Sequence, residues 1–216
     1  LALEAARRAH DRGEKTIFIC FNKLLGDKLQ NEIESCRVQI HFKRITQLML
    51  DIASIKKNNI VDTKDFWSNL TGKALNRIEF SKLKDAYDHI IIDEAQDILT
   101  LSNILILSEI LKGGFDKGKI TIFGDFEWQS VHNFEDDEND KLISKNTLIY
   151  PNQFKEDYCN QLIILSPRTN CRNTPRISTQ AVFLGGIKPD YTKILRYDDG
   201  RNPTLNYYTS EVEQTD

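Results

Sequence analysis

His89–Asp97 reads HIIIDEAQD. Three isoleucines run directly into two carboxylates, followed by Ala, Gln and a third carboxylate. An unbroken apolar run is the pattern of a strand buried on both faces, as in a parallel sheet. Like charges placed straight after it fit one of two things. One is a solvated turn. The other is a site where carboxylates meet a cation and activate water. In parallel α/β sheets, ligands gather beyond the carboxyl ends of the strands, so the neighbouring strands decide between them.

Four further runs share this character: Thr16–Phe21 (TIFICF), Arg37–Phe42 (RVQIHF), Lys119–Phe123 (KITIF) and Leu162–Leu165 (LIIL). Between them, apolar residues recur at helical spacing. Asn22–Ser35 carries Leu24, Leu25, Leu29 and Ile33; Ile45–Lys56 carries Leu48, Met49, Ile52 and Ile55; Leu99–Leu111 carries Leu101, Leu105, Ile106 and Ile110. Thr174 before Pro175 predicts a helix start, with a hydroxyl cap and proline at the first position. Strands alternating with helices predict a doubly wound α/β sheet. Polar residues close several strands: Asn22 after the first, Asp93 and Glu94 after the central run, Gly124 and Asp125 after another.

Two regions interrupt the rhythm. Residues 58–85 are polar, with Trp67, Leu70, Leu75 and Ile78 as sparse anchors, and predict a small helical insertion. Glu135–Asp140 (EDDEND) predicts a solvated acidic loop. From Gly185 the chain changes character, with Gly-Gly, Pro189 and two short strand-like pieces, Lys193–Tyr197 and Thr204–Thr209. The expected organisation is one α/β domain over 1–57 and 86–184, the insertion at 58–85, and the beginning of a second domain at 185–216.

With 216 residues the chain is long enough to bury a core. Its formal charge of −3 gives no global basic character, although a local basic groove depends on distribution rather than on the sum. No apolar run approaches the roughly 20 residues that span a bilayer. LALEAARRAHDR at the start has an amphipathic helical pattern, with Ala2, Ala5, Ala6 and Ala9 on a close-packing face, and is not a signal peptide. The four cysteines are scattered without a CxxC pair, which fits a reducing cytoplasm and neither a zinc site nor a disulfide framework. Gly113–Ile120 (GGFDKGKI) fits G-x-x-x-x-G-K, but Ile stands where a phosphate loop needs Ser or Thr, and the order is helix, loop, strand. It predicts a helix end and a turn, with Lys117 and Lys119 solvated.

Taken in order, these stretches resemble the superfamily 1 DNA helicases of the UvrD/Rep type. IIIDEAQD resembles motif II, the Walker B element. IFGDFEWQSVHNF resembles motif III, and LSPRTNCRNTPRI motif IV. IFICFNKLLGDKL is similar to motif Ia, and IHF near residue 41 to motif Ib. The resemblance runs from Thr16 to about Ile177 in family order. It implies a RecA-like fold, a mostly parallel sheet flanked by helices.

The resemblance also implies roles. Asp93 would hold Mg²⁺, and Glu94 would orient and deprotonate the water attacking the γ-phosphate of ATP. Phosphoryl transfer needs chiefly positioning and charge neutralisation, which two such carboxylates supply. Gln129 would sense the γ-phosphate, Gln96 would lie against it, and Arg172 would place fixed positive charge on the transferring group. Asn22, Lys23, His41, Trp128, His132 and Phe134 are the expected nucleic-acid contacts, aromatic faces being platforms for stacked bases; His132 falls where that family carries Tyr. The expected partners are ATP with Mg²⁺ and single-stranded or partly duplex DNA, with no membrane. In that family a GKT-type loop precedes a helix like LALEAARRA, and motifs V and VI come after motif IV. These residues alone are therefore expected to be inactive, as a piece of an ATP-dependent helicase or translocase.

Two other classes compete. One is a non-hydrolysing nucleic-acid-binding or regulatory module with a helicase-like fold; the joint presence of Asp93, Glu94, Gln129 and Arg172 argues against decay of the site. The other is a metal-dependent nuclease using Asp93, Glu94 and Asp97; these share one strand end and lack ligands from separate strands.

Overall fold

The computed structural model describes residues 1–22, 30, 40–56, 63–79, 81–126, 148–185, 192–198 and 200, with the side chains of 64, 65, 67, 68 and 185 outside the description. The chain divides into two compact units, Leu1–Leu162 and Ile163–Asp216.

In the first unit, helix α1 (Ala2–Asp11) leads into strand β1 (Thr16–Cys20). Strand β2 (His41–Arg44) runs straight into α2 (Ile45–Ala53). Next come α3 (Lys64–Glu79), β3 (His89–Ile92), a 3-10 turn (Ala95–Asp97), α4 (Leu101–Ile110), the short α5 (Gly114–Lys117), β4 (Lys119–Ile122) and α6 (Pro151–Asp157). Among the described residues, four strands form one sheet in the order β2-β1-β3-β4, every pair parallel. The fold is therefore α/β, a parallel sheet flanked by helices.

The central strands are buried along their whole length, and their side chains alternate between two cores. Ile17, Ile19, Ile90 and Ile92 face a large core built with α2, α3 and α4. Phe18, Cys20 and Ile91 face a smaller one that takes Ala2, Ala6 and Ala9 of α1. The alanine face lets α1 lie close on the sheet, because a methyl group adds almost no standoff. A run that is apolar on both faces is what this three-layer arrangement demands.

The predicted elements are largely present, and the departures have physical causes. Helix α3 falls within the expected helical stretch at 58–85. Leu70, Ala74 and Ile78, four residues apart on one face, are buried in the same core as α2 and α4. Strand β2 extends over Lys43 and Arg44, an edge where charged residues are tolerated. Leu162–Leu165 forms no strand; Ile163 and Leu165 are 78% and 82% exposed. Lys119 is not simply solvated but bonds Glu14 at 2.6 Å. The expected helix over 22–35, the acidic run at 135–140 and the strand at 204–209 fall outside the described residues except for Asn22 and Gln30. Among the described residues, no helix is long and apolar enough to cross a membrane.

The second unit holds strand β5 (Thr169–Asn170), helix α7 (Pro175–Gly185) and strand β6 (Lys193–Ile194), with β5 and β6 parallel. Thr174 caps α7 through its hydroxyl, which accepts from the Ile177 amide at 3.5 Å. The Asn170 amide donates to the Ser178 hydroxyl at 3.2 Å, and Arg176 bonds Asp198 at 2.8 Å. These links join α7 to β5 before it and to the segment just after β6, within the unit that begins at Ile163.

Candidate active site

Strand β3 ends at Ile92 and hands the chain to Asp93 and Glu94. Three strand ends meet there. The Asp93 amide donates to the Ile19 carbonyl and the Phe123 amide to the Ile92 carbonyl, both at 2.9 Å. The Ala95 amide then donates to the Phe123 carbonyl at 2.9 Å. Parallel strands thus deliver the exits of β1, β3 and β4 to one edge of the sheet.

At Glu94 the backbone turns into the left-handed region, φ 54° and ψ 50°. A non-glycine residue there is uncommon and costs of order 1 kcal/mol or more. The turn sends the chain into the 3-10 segment and brings the side chains of Glu94 and Gln96 together. The Gln96 Nε2 donates to Glu94 Oε2 at 2.7 Å, and its Oε1 accepts from the Asp125 amide at 3.1 Å. Gln96 is 2% exposed. Gly124 makes room for this. A Cβ there would lie 2.9 Å from Gln96 Oε1 and 3.2 Å from the Ala95 nitrogen.

Asp93 and Glu94 are both half-buried. Burial, and next the neighbouring Glu94 charge, push the Asp93 carboxyl above its ordinary range. A buried carboxylate whose ionisation is unfavourable, as at Asp93, gains from a cation. Hard oxygens of this kind suit Mg²⁺, which takes one or two carboxylates and completes its shell with water and phosphate oxygens. Among the described residues there is no group of three or more His, Cys, Asp or Glu arranged to hold a metal.

The other expected site residues are distributed. Asn22 and the 46%-exposed Phe21 come after β1, on the same edge of the sheet as Asp93. His41 starts β2, level with Ile17 in the register, at the opposite end of the strands. Its Nδ1 meets the Tyr87 hydroxyl at 2.9 Å, ring edge to ring face. Arg172 is exposed and belongs to the second unit, in a loop shaped by Asn170, whose Oδ1 accepts from the Arg172 and Asn173 amides at 3.0 Å. The Arg172 carbonyl accepts from Arg196 at 2.9 Å. Lys23, Trp128, Gln129, His132 and Phe134 lie outside the described residues.

Sequence reading missed two features. One is the Gln96 link to the β4 exit, whose signal was the glycine just beyond β4. The other lies at the far end of the sheet, where the buried His89 ring meets Glu14 Oε2 at 3.0 Å and Thr121 Oγ1 at 2.9 Å. Glu14 also takes Arg12 at 2.8 Å and Lys119 at 2.6 Å. Its signal was a lone histidine opening a buried strand. Compared with protein-family models, with curated proteins and with solved structures, the chain matches none.

Proposed function

We propose that this chain is part of an ATP-dependent DNA helicase or translocase with a RecA-like motor core. The observation that carries the reading is the placement of Asp93 and Glu94 at the carboxyl end of a central, fully buried parallel strand, beside the Gly124–Asp125 exit of its neighbour. Parallel α/β sheets bind ligands at such edges. The motif order of the sequence supplies the chemistry, phosphoryl transfer from ATP.

In this reading Asp93 holds Mg²⁺, which when bound supplies charge neutralisation at the phosphates. Glu94 orients the attacking water and takes its proton. The hydrogen bond from Gln96 keeps the Glu94 carboxylate in one orientation, and the partial burial of Asp93 and Glu94 makes charge interactions there stronger than in bulk water. The motif resemblance assigns Gln129 the sensing of the γ-phosphate and Arg172 a positive charge for the transferring group. Asn22, Lys23, His41, Trp128, His132 and Phe134 are the proposed contacts to single-stranded or partly duplex DNA.

The test is ATP hydrolysis by the natural-length protein in the presence of single-stranded DNA. Glu94→Gln is expected to abolish turnover while ATP still binds, measured with a fluorescent nucleotide. Normal hydrolysis by Glu94→Gln would discard the assignment of Glu94, and absence of ATP-dependent activity in the wild type would discard the reading.

A further inference from the structure

We infer that Gln96 is a positioning residue: it couples the Glu94 carboxylate to the exit turn of β4 rather than contacting the nucleotide. The inference rests on the ATP-hydrolysis reading above for its functional consequence, and on geometry for the link itself. Both ends of the carboxamide are used inside the protein, the donor on Glu94 at 2.7 Å and the acceptor on the Asp125 amide at 3.1 Å. The side chain is 2% exposed, which leaves little surface for a ligand. The approach is close enough that a Cβ at Gly124 would lie only 2.9 Å from the Gln96 oxygen. A second connection runs beside it, from the Ala95 amide to the Phe123 carbonyl at 2.9 Å. Any displacement of the 123–125 turn therefore reaches Glu94 through one buried side chain and one backbone bond.

The chemistry of the side chain fits this task. A neutral amide can donate to a carboxylate without neutralising it, so Glu94 keeps its charge for proton abstraction. Lys or Arg at position 96 would pair with Glu94 and quench it as a base. An ionised Asp or Glu would have no donor to offer. Glutamine also carries donor and acceptor at one terminus, so a single residue orients the base and senses the neighbouring strand exit. The link gives a physical route by which a shift of Phe123 or Asp125 alters the geometry of the water-orienting residue.

The experiment pairs Gln96→Met, similar in length but without donor or acceptor, with a measurement on the wild type, both in the natural-length protein. For Gln96→Met, kcat for ATP is expected to fall about 10–100-fold, the range seen when a supporting hydrogen bond to a site residue is removed. KM should stay within about twofold, since nucleotide contacts are intact. A KM rise of about tenfold with kcat unchanged would mean that Gln96 touches nucleotide, and unchanged kcat and KM would mean that it does neither; each result overturns the inference. In the wild type, NMR hydrogen exchange should find the Asp125 amide protected at least about tenfold over the free-peptide rate. Rapid exchange there overturns the link even if Gln96→Met fails to fold. If the wild-type protein hydrolyses no ATP, the functional reading fails by itself, and the exchange measurement still decides whether Gln96 ties the two strand exits together.

Discussion

Glu14 and His89, 75 positions apart in the chain, meet at 3.0 Å beneath the amino ends of β1 and β3. A carboxylate only accepts, so Nδ1 of His89 carries the proton and donates to Glu14. Burial holds the ring below its ordinary value of 6.5; the Glu14 bond opposes that shift, and Arg12 and Lys119, already paired with Glu14, repel a second cation. Arg12 foremost, then Lys119 and His89, hold the Glu14 carboxyl down to about 2 against its burial.

Stability is expected to fall with acid in two stages. Both groups have folded values below their unfolded ones, so the unfolded chain binds more protons as pH drops and stability rises with pH. The His89 contribution is complete above about pH 6.5 and is lost below it. The Glu14 contribution is complete above about pH 4.5 and is lost between there and about pH 2. Thermal unfolding at stepped pH checks this; a Tm that does not change between pH 7 and 5 would remove His89 from the account.

Glu14→Gln leaves Arg12, Lys119 and His89 without their shared carboxylate. The expected cost is about 1–3 kcal/mol of unfolding free energy, the penalty for stranding the buried His89 donor, since the exposed Arg12 and Lys119 can turn to water. Urea unfolding at pH 7 measures it. The variant should also lose the acid limb below about pH 4.5 that the wild type shows.

Gly124→Ala places a methyl group against Gln96 Oε1 and the Ala95 nitrogen, at 2.9 Å and 3.2 Å. Gln96 and Ala95 are buried and held by hydrogen bonds, so they yield little. A loss of about 1–3 kcal/mol is expected, as for other overpacked sites. The Asp125 amide should exchange faster than in the wild type, because its acceptor is pushed away.

Ala6→Leu tests the close seat of α1. Ala6 is 1% exposed and shares a core with Phe18, Cys20 and Ile91. A leucine must lift the helix or distort the sheet, at a cost of about 1–3 kcal/mol. The exposed Arg8→Leu on the same helix is the control and should change stability by no more than about 0.5 kcal/mol.

Arg172→Ala bears on the proposed motor chemistry. If Arg172 supplies charge to the transferring phosphoryl, kcat falls about 10³-fold or more while ATP binding persists. Stopped hydrolysis with retained nucleotide binding is the expected pair of readouts. Full activity would leave Arg172 as a surface residue of its loop.

The strand cores were legible in the residues alone. TIFIC, HIII and KITI each became a strand of one parallel sheet; for the fully buried TIFIC and HIII the reason is that a continuous apolar run can satisfy its backbone and bury both faces only between helical layers. The sequence also set Asp93 and Glu94 at a strand exit, since the covalent order of the chain puts them directly beyond Ile92. The same rule failed at Leu162–Leu165, where apolar character carried no information about a pairing partner, and the chain instead paired Thr169–Asn170 with Lys193–Ile194.

Tertiary structure alone decided how distant residues meet. Gln96 and Asp125 are 29 positions apart, and Glu14 and Thr121 both bond His89 from far along the chain. Such contacts depend on strand order and register, which local periodicity does not encode. Parallel pairing of β1, β3 and β4 put Thr16, His89 and Lys119 on one line of the sheet and their exits on another. The buried polar links formed because amides and carboxylates withdrawn from water must find partners, and the sheet determined which partners were within reach.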